Sequence, residues 1–113
     1  MVNVDDHAAP GDLERIRTLL NTWLIPNDTR EPIDRFRGGA VVRELRDDLR
    51  RVVEGVPSAD HILNTWVRRL DVTPRAAGGV VRFRGNGTGG ELVAIVLAAI
   101  SDGTWSRLRA CPD

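Results

Sequence analysis

Lysine is missing altogether: all 16 basic side chains are arginine, balanced by 16 acidic residues to a formal net charge of zero. A phosphate-binding loop of the lysine-containing kind is thereby excluded. Zero net charge also removes the whole-domain attraction on which non-specific nucleic-acid binders rely, leaving only a local patch as a route to such a partner. Cysteine is scarce too. Cys111 alone makes no internal disulfide, and His7 and His61 add too few ligands for a self-contained zinc site. No apolar run exceeds the nine residues 92–100, too few to cross a bilayer as a helix. The first eleven residues lack the basic-then-apolar layout of a signal peptide, so a cytoplasmic protein with no membrane partner is expected. The arginine excess itself reads first as the codon bias of a GC-rich genome and only second as chemistry.

What is present, 113 residues at 42% hydrophobic and 28% charged, suits one globular domain. Residues 1–11 are polar and patternless up to Pro10-Gly11 and read as a flexible tail without function. Asp12 offers an N-cap, after which Leu13, Ile16, Leu19, Leu20, Trp23 and Leu24 recur at helical spacing until Pro26. Residues 27–39 form a long ordered loop, with room for one helical turn, that Ile33 and Phe36 could pin to the core. A second helix is expected over residues 40–54, with Val42, Leu45, Leu49, Val52 and Val53 on one face. Arg43 with Asp47, Asp47 with Arg51 and Arg50 with Glu54 are spaced four apart as ion pairs on it. Ser58 can cap a third helix that buries Ile62, Leu63, Trp66, Val67 and Leu70. Residues 72–77 and 80–84 flank Gly78-Gly79 as a tight hairpin, with Val81 and Phe83 on one face. Thr88 and Glu91 have capping-box spacing ahead of a fourth helix, apolar nearly all round and expected at the centre. Trp105 opens what looks like another helix, with Leu108 available for burial. The predicted fold class is α+β: a mostly helical domain of about four helices with a small antiparallel β-hairpin.

Three constellations invite chemistry. Gly85-Asn86-Gly87-Thr88-Gly89-Gly90 satisfies G-x-G-x-x-G between a strand and a helix, where backbone amides could hold a pyrophosphate. The second parallel strand ending in an acidic residue is not there, and the plainer reading is a hairpin-to-helix connector. Leu20-Asn21-Thr22-Trp23 recurs as Leu63-Asn64-Thr65-Trp66 without matching flanks, so coincidence outweighs duplication. Asn21 and Thr22 nevertheless precede a loop in which Arg30 and Asp34 could face a cleft. Asn21, Thr22, Arg30 and Asp34 are the candidate ligand-binding residues, against the alternative that they cap backbone groups and pair with one another. Asp47-Asp48 reads as solvated, ion-paired surface on the outer face of the second helix. A nucleophile would need a base, and the two histidines lie in the tail and at the start of a helix; no enzyme is expected.

The final twelve residues, Asp102-Gly103-Thr104-Trp105-Ser106-Arg107-Leu108-Arg109-Ala110-Cys111-Pro112-Asp113, resemble the junction leading into a CGNR-type zinc finger. Leu20-Asn21-Thr22 followed by Asp34, and Arg43-Glu44-Leu45-Arg46-Asp47-Asp48-Leu49-Arg50, resemble the opening and second helix of that family's N-terminal ABATE domain, described as a stress-induced transcription regulator. The resemblance spans residues 13–113. It implies a regulatory domain over residues 12–104, followed by residues 105–113 as the start of the junction. It makes Cys111 the first ligand of a Cys-x-x-Cys knuckle. The other ligands and the CGNR sequence are absent from these residues. Zinc is therefore implied only for a longer family-type protein, with no cofactor in this chain, and DNA contact only through the missing finger. The resulting expectation is a ligand-sensing or dimerising domain of a bacterial transcription regulator, with a small-molecule effector and a homodimer as its partners. The alternatives are a stand-alone small-molecule or nucleotide-binding module using the Gly85 to Gly90 loop, and a protein-interaction domain presenting Trp105 or Leu108.

Overall fold

The apolar run at residues 92–100 dictates the centre of the molecule, because a helix without a polar face must be covered on several sides. In the computed structural model, which describes residues 2–4, 11–24 and 33–110, that helix is α4 (Gly87–Asp102). Around it lie α1 (Gly11–Leu20), α2 (Ala40–Val53), α3 (Ala59–Arg69) and the hairpin of β4 (Thr73–Ala77) and β5 (Val80–Arg84). Three shorter strands accompany them: β1 (Val2–Val4), β2 (Trp23–Leu24) and β3 (Ile33–Asp34). A 3-10 turn (Thr104–Arg107) then leads into β6 (Leu108–Ala110). The fold is α+β and mostly helical, and the described strands form three separate two-stranded antiparallel pairs. Leu92, Val93, Val96 and Ala99 of α4 meet Leu13, Ile16 and Leu20 of α1, Leu45 and Leu49 of α2, and Trp66 of α3 in one core. Each large side chain among them contributes about 1.5–3 kcal/mol by leaving water.

The first helix ends earlier than its apolar spacing suggests. Asn21 and Thr22 form a turn, and the Thr22 hydroxyl donates to the Leu19 carbonyl at 2.7 Å, satisfying one of the acceptors a helix end leaves open. Trp23 and Leu24 therefore continue as a strand, not a helix, paired with Asp34 and Ile33. Phe36 is buried as expected, whereas Ile33 stays exposed. The loop contains this strand where a helical turn had room.

The second and third helices lie where their spacing puts them, but their polar side chains do not behave as surface residues. None of the three pairs spaced four apart on α2 forms among the described residues: Arg43 and Arg50 reach tertiary partners, Asp34 and the Leu20 carbonyl, while Asp47 and Arg51 pair with nearer neighbours on the same helix, Arg46 and Asp48. Ser58 occupies the N-cap position of α3 without a side-chain capping bond. The Trp66 indole N–H donates to Asp48 Oδ2 at 2.7 Å, and the Arg69 guanidinium lies 4.5 Å from the Trp66 ring centroid while pairing with Glu44.

The hairpin turns at Gly78-Gly79, both at positive φ (58° and 82°), the geometry of a two-residue turn matched to strand twist. Its far end closes on the start of α4. Asn86 is the N-cap and Thr88 already lies inside the helix, so the expected capping box does not form. The glycines answer to sterics: a Cβ on Gly90 would lie 2.3 Å from the Gly85 carbonyl carbon, one on Gly85 would lie 2.8 Å from the Gly90 backbone, and Gly87 sits at φ 67°.

The chain ends also differ from expectation. β1 pairs with β6, Val2 opposite Ala110 and Val4 opposite Leu108, so part of the presumed tail is a strand. Trp105 lies within the 3-10 turn, and the strand follows, not a longer helix. Leu108 is buried and Trp105 half-buried against the core, so neither leaves an apolar surface. His7 lies outside the described residues.

Gly90→Ala is expected to cost about 1–3 kcal/mol in urea denaturation, because backbone is what must move. At Gly39, the N-cap of α2, a Cβ meets nothing within 4 Å; Gly39→Ser should be neutral or stabilise by about 0.5 kcal/mol. Equal losses at both sites would refute the close approach of Gly85 and Gly90.

Candidate functional site

Arg46 sits within the apolar stripe of α2, one turn from Val42 on one side and Leu49 on the other, so the helix carries a cation into the core. Its side chain is 1% exposed. Burying a guanidinium is costly unless every donor is used and the charge is matched, and here both conditions hold. Nη1 and Nη2 donate to Asp34 Oδ1 and Oδ2 at 2.6 and 3.0 Å, a bidentate pair. Nη1 also donates to Thr22 Oγ1 at 3.2 Å, and Nε donates to Asp47 Oδ1 at 2.9 Å. The guanidinium carbon lies 5.6 Å from the ring centroids of both Trp23 and Phe36, within cation–π range. No buried side-chain polar atom among the described residues lacks a partner.

Asp34 is fixed from its own side as well. Its Oδ1 accepts the Phe36 amide at 2.9 Å, turning the chain so that the Phe36 ring enters the core, and Arg43 approaches Oδ2 at 3.8 Å. The Arg46 hydrogen bonds, followed by the Phe36 amide, lower the Asp34 carboxyl from 3.8 to about 2. The Arg46 guanidinium is raised in turn, chiefly by Asp34. Asp34 is thus held ionised and Arg46 held charged, leaving neither free to move a proton near neutral pH. Arg50 reaches across to the Leu20 carbonyl at 2.8 Å, a second tie from α2 to the end of α1.

Of the four candidate ligand-binding residues, the structure brings Thr22 and Asp34 together on one cation. Asn21 stands beside them, half-buried in the turn, and Arg30 lies outside the described residues. Sequence reasoning missed Arg46, and its signal was there: Val42, Leu45, Arg46, Leu49, Val52 and Val53 are one continuous helical stripe with an arginine inside it. It read Asp47 and Asp48 as solvated, ion-paired surface; both do pair with arginines, Asp47 with Arg46 and Asp48 with Arg51, but the partner of Asp47 is a buried cation and Asp48 also accepts the Trp66 indole N–H.

Beside this cluster an open cavity of about 600 Å³ lies between α1, the loop after Asp34 and the first turns of α2 and α4. Leu19, Phe36, Val42 and Leu92 give it apolar walls, Thr18 and Thr22 supply hydroxyls, and Glu14, Arg15 and Arg37 stand at its border. Gly38 makes room for Phe36: a Cβ there would lie 2.6 Å from the ring. A larger groove, about 860 Å³, runs between β5 and α4 and includes Gly85, Gly87 and Thr88 of the glycine-rich loop. Asp12 and Glu91 border it together with Arg15, Arg82 and Arg84. Among the described residues no three His, Cys, Asp or Glu side chains are grouped to hold a metal ion, and no helix is long and apolar enough to cross a membrane. Cys111 lies outside the described residues.

No protein-family model, no curated protein and no solved structure matches this chain.

Arg46→Ala should destabilise the domain by about 3 kcal/mol, the lower end for a broken buried pair because Asp34 still reaches water. Arg46→Lys should recover little of that loss, since an ammonium cannot form the bidentate contact. Because the folded Asp34 carboxyl lies below its ordinary 3.8, its contribution is complete above that value and disappears as pH falls toward about 2. Urea titrations across that window should show the wild type converging on Asp34→Asn; a constant gap between them would refute the pairing.

Proposed function

We propose that this chain is the N-terminal regulatory domain of a bacterial, stress-related transcription regulator, a cytoplasmic protein whose sensory element is the cavity beside Arg46. The observation that carries the reading is that cavity, apolar within and bordered by Glu14, Arg15 and Arg37; Glu14 pairs with Arg17 and Arg15 with Glu91, whereas Arg37 has no ionic partner among the described residues. An effector suited to it has an apolar body and one anionic group. Two of its walls, Thr22 and Phe36, also touch the Arg46 and Asp34 cluster, so an occupant would bear directly on the link between α1, the loop and α2.

The resemblance of residues 102–113 to the junction of the CGNR zinc-finger family supports the output side of this reading. In a longer family-type protein Cys111 would supply the first zinc ligand, and sequence-specific DNA recognition would belong to the finger. Strand β6 ends at Ala110, one residue before that cysteine. Its pairing with β1 would hold the start of such a finger against the sensory domain.

The protein from its native host should be heavier than 12.5 kDa and contain zinc; a zinc-free product at 12.5 kDa would overturn the regulator reading. For the cavity, 8-anilinonaphthalene-1-sulfonate should bind the folded domain with one-to-one stoichiometry and raise its melting temperature. Thr18→Trp, which fills the cavity from an exposed position, should abolish both effects. Undiminished binding by that variant would remove the cavity from consideration.

A further inference from the structure

The β4–β5 hairpin has two unlike faces. Residues paired across an antiparallel ladder share a face, and here Arg75 stands opposite Arg82 and Thr73 opposite Arg84. Arg75, Arg82 and Arg84 therefore occupy one face, while Pro74, Ala76, Val81 and Phe83 occupy the other, with Phe83 half-buried against the core. From residue 72 to residue 90 the sequence has these three arginines and no acid. None of the three side chains makes an ion pair or hydrogen bond among the described residues; Arg35, Arg37 and Arg68 make no ion pair either, whereas Arg15, Arg17, Arg43, Arg46, Arg51 and Arg69 all pair. Asp71 shares a polar concavity of about 370 Å³ with Arg75 and Arg84 at the hairpin's base, yet pairs with neither. Asp12 and Glu91 border the groove on the other side of β5 and leave Arg82 and Arg84 unpaired as well. Two arginines directly opposite each other repel, so this arrangement opposes folding instead of serving it.

The chemistry that would reward it is a polymer of regularly spaced anions. Arg82 and Arg84 are two residues apart on one strand, about 7 Å, an interval close to that of consecutive phosphates along a nucleic-acid strand. Guanidinium groups match phosphate oxygens in bidentate geometry. The ribbon is also slim: its tip is Gly78-Gly79, flanked by Ala76, Ala77, Val80 and Val81, with Val80 and Val81 at 53% and 61% exposure. A two-stranded ribbon of this kind fits the major groove of a duplex. We propose that the Arg75, Arg82 and Arg84 face of the hairpin binds the phosphate backbone of duplex DNA without sequence preference. This inference does not depend on the effector cavity. It gives the domain its own weak grip on DNA, whatever other DNA-binding part accompanies it. Zero net charge makes the contact local, so its salt dependence counts only these charges.

The test is fluorescence anisotropy of a labelled random-sequence 20-bp duplex, titrated with the whole 113-residue chain over a series of salt concentrations. Three phosphate contacts predict a slope of log K against log salt of about −2.7, with Kd on the order of 10–100 µM at low salt. The triple variant R75A/R82A/R84A should lose at least about tenfold in affinity, while its circular dichroism and melting temperature stay unchanged or improve as the Arg75 and Arg82 repulsion is relieved. Each single variant should reduce the steepness of the slope by about 0.9, a response that misfolding does not produce. Absence of binding at low salt would overturn the proposal, as would an undiminished triple variant. Polyglutamate displacing the duplex at equal charge concentration would overturn it too, and would assign the face to an acidic protein.

Discussion

A guanidinium carried into an apolar interior is what the N-terminal half of this domain is built around. Arg46 can be buried only if acceptors come to it, and those acceptors belong to separate pieces of chain: Thr22 at the end of α1, Asp34 in β3 and Asp47 on α2 itself. Satisfying one side chain therefore fixes where the first helix stops, where the following loop returns and how both meet the second helix. Trp23 and Phe36 close over the same cation, and the Phe36 ring in turn sets the floor of the neighbouring cavity. Geometry of this kind specifies one arrangement more strongly than it adds stability, since a buried ion pair recovers in attraction roughly what it loses in hydration.

The helical scaffold was legible because it depends on period. The stripes of α2 and α3 and the unbroken apolar run of α4 state their faces directly, and Gly78-Gly79 announces its hairpin. Elements whose cause lies far away in sequence were not legible. β1 and β6 are three residues each and exist only because the two ends meet. Trp23 and Leu24 carry helical spacing, yet the Thr22 hydroxyl and the partner strand at Ile33 and Asp34 decide their conformation. The glycine-rich segment at 85–90 looked like a phosphate loop because dinucleotide folds and this one share a steric demand, the close approach of a strand end to a helix start. Spacing alone does not distinguish the two.

Of the site, Thr22 and Asp34 were legible as polar residues flanking a turn, and the buried arginine that unites them was missed. An arginine within an exposed-looking Arg-Glu-Leu-Arg pattern is easily passed over, because most such patterns are solvated. The discriminating feature is phase: Arg43 and Arg50 flank the apolar stripe of α2, while Arg46 lies inside it. The same reasoning separates the hairpin arginines, which share one face with no acid near them in sequence, from those on α2, which alternate with aspartates.

Pairing Val2 with Ala110 and Val4 with Leu108 has a mechanical consequence. The strand directions bring the chain in at Val2 and out at Ala110 on the same side of the ribbon, so tension applied between those two points peels the strands apart one bond at a time instead of shearing them together. The two-stranded ribbon would yield before the helices bear any load. A tethered neighbour pulling on the C-terminal strand could thus open this end of the domain, and expose Leu108, while the four-helix core stays intact.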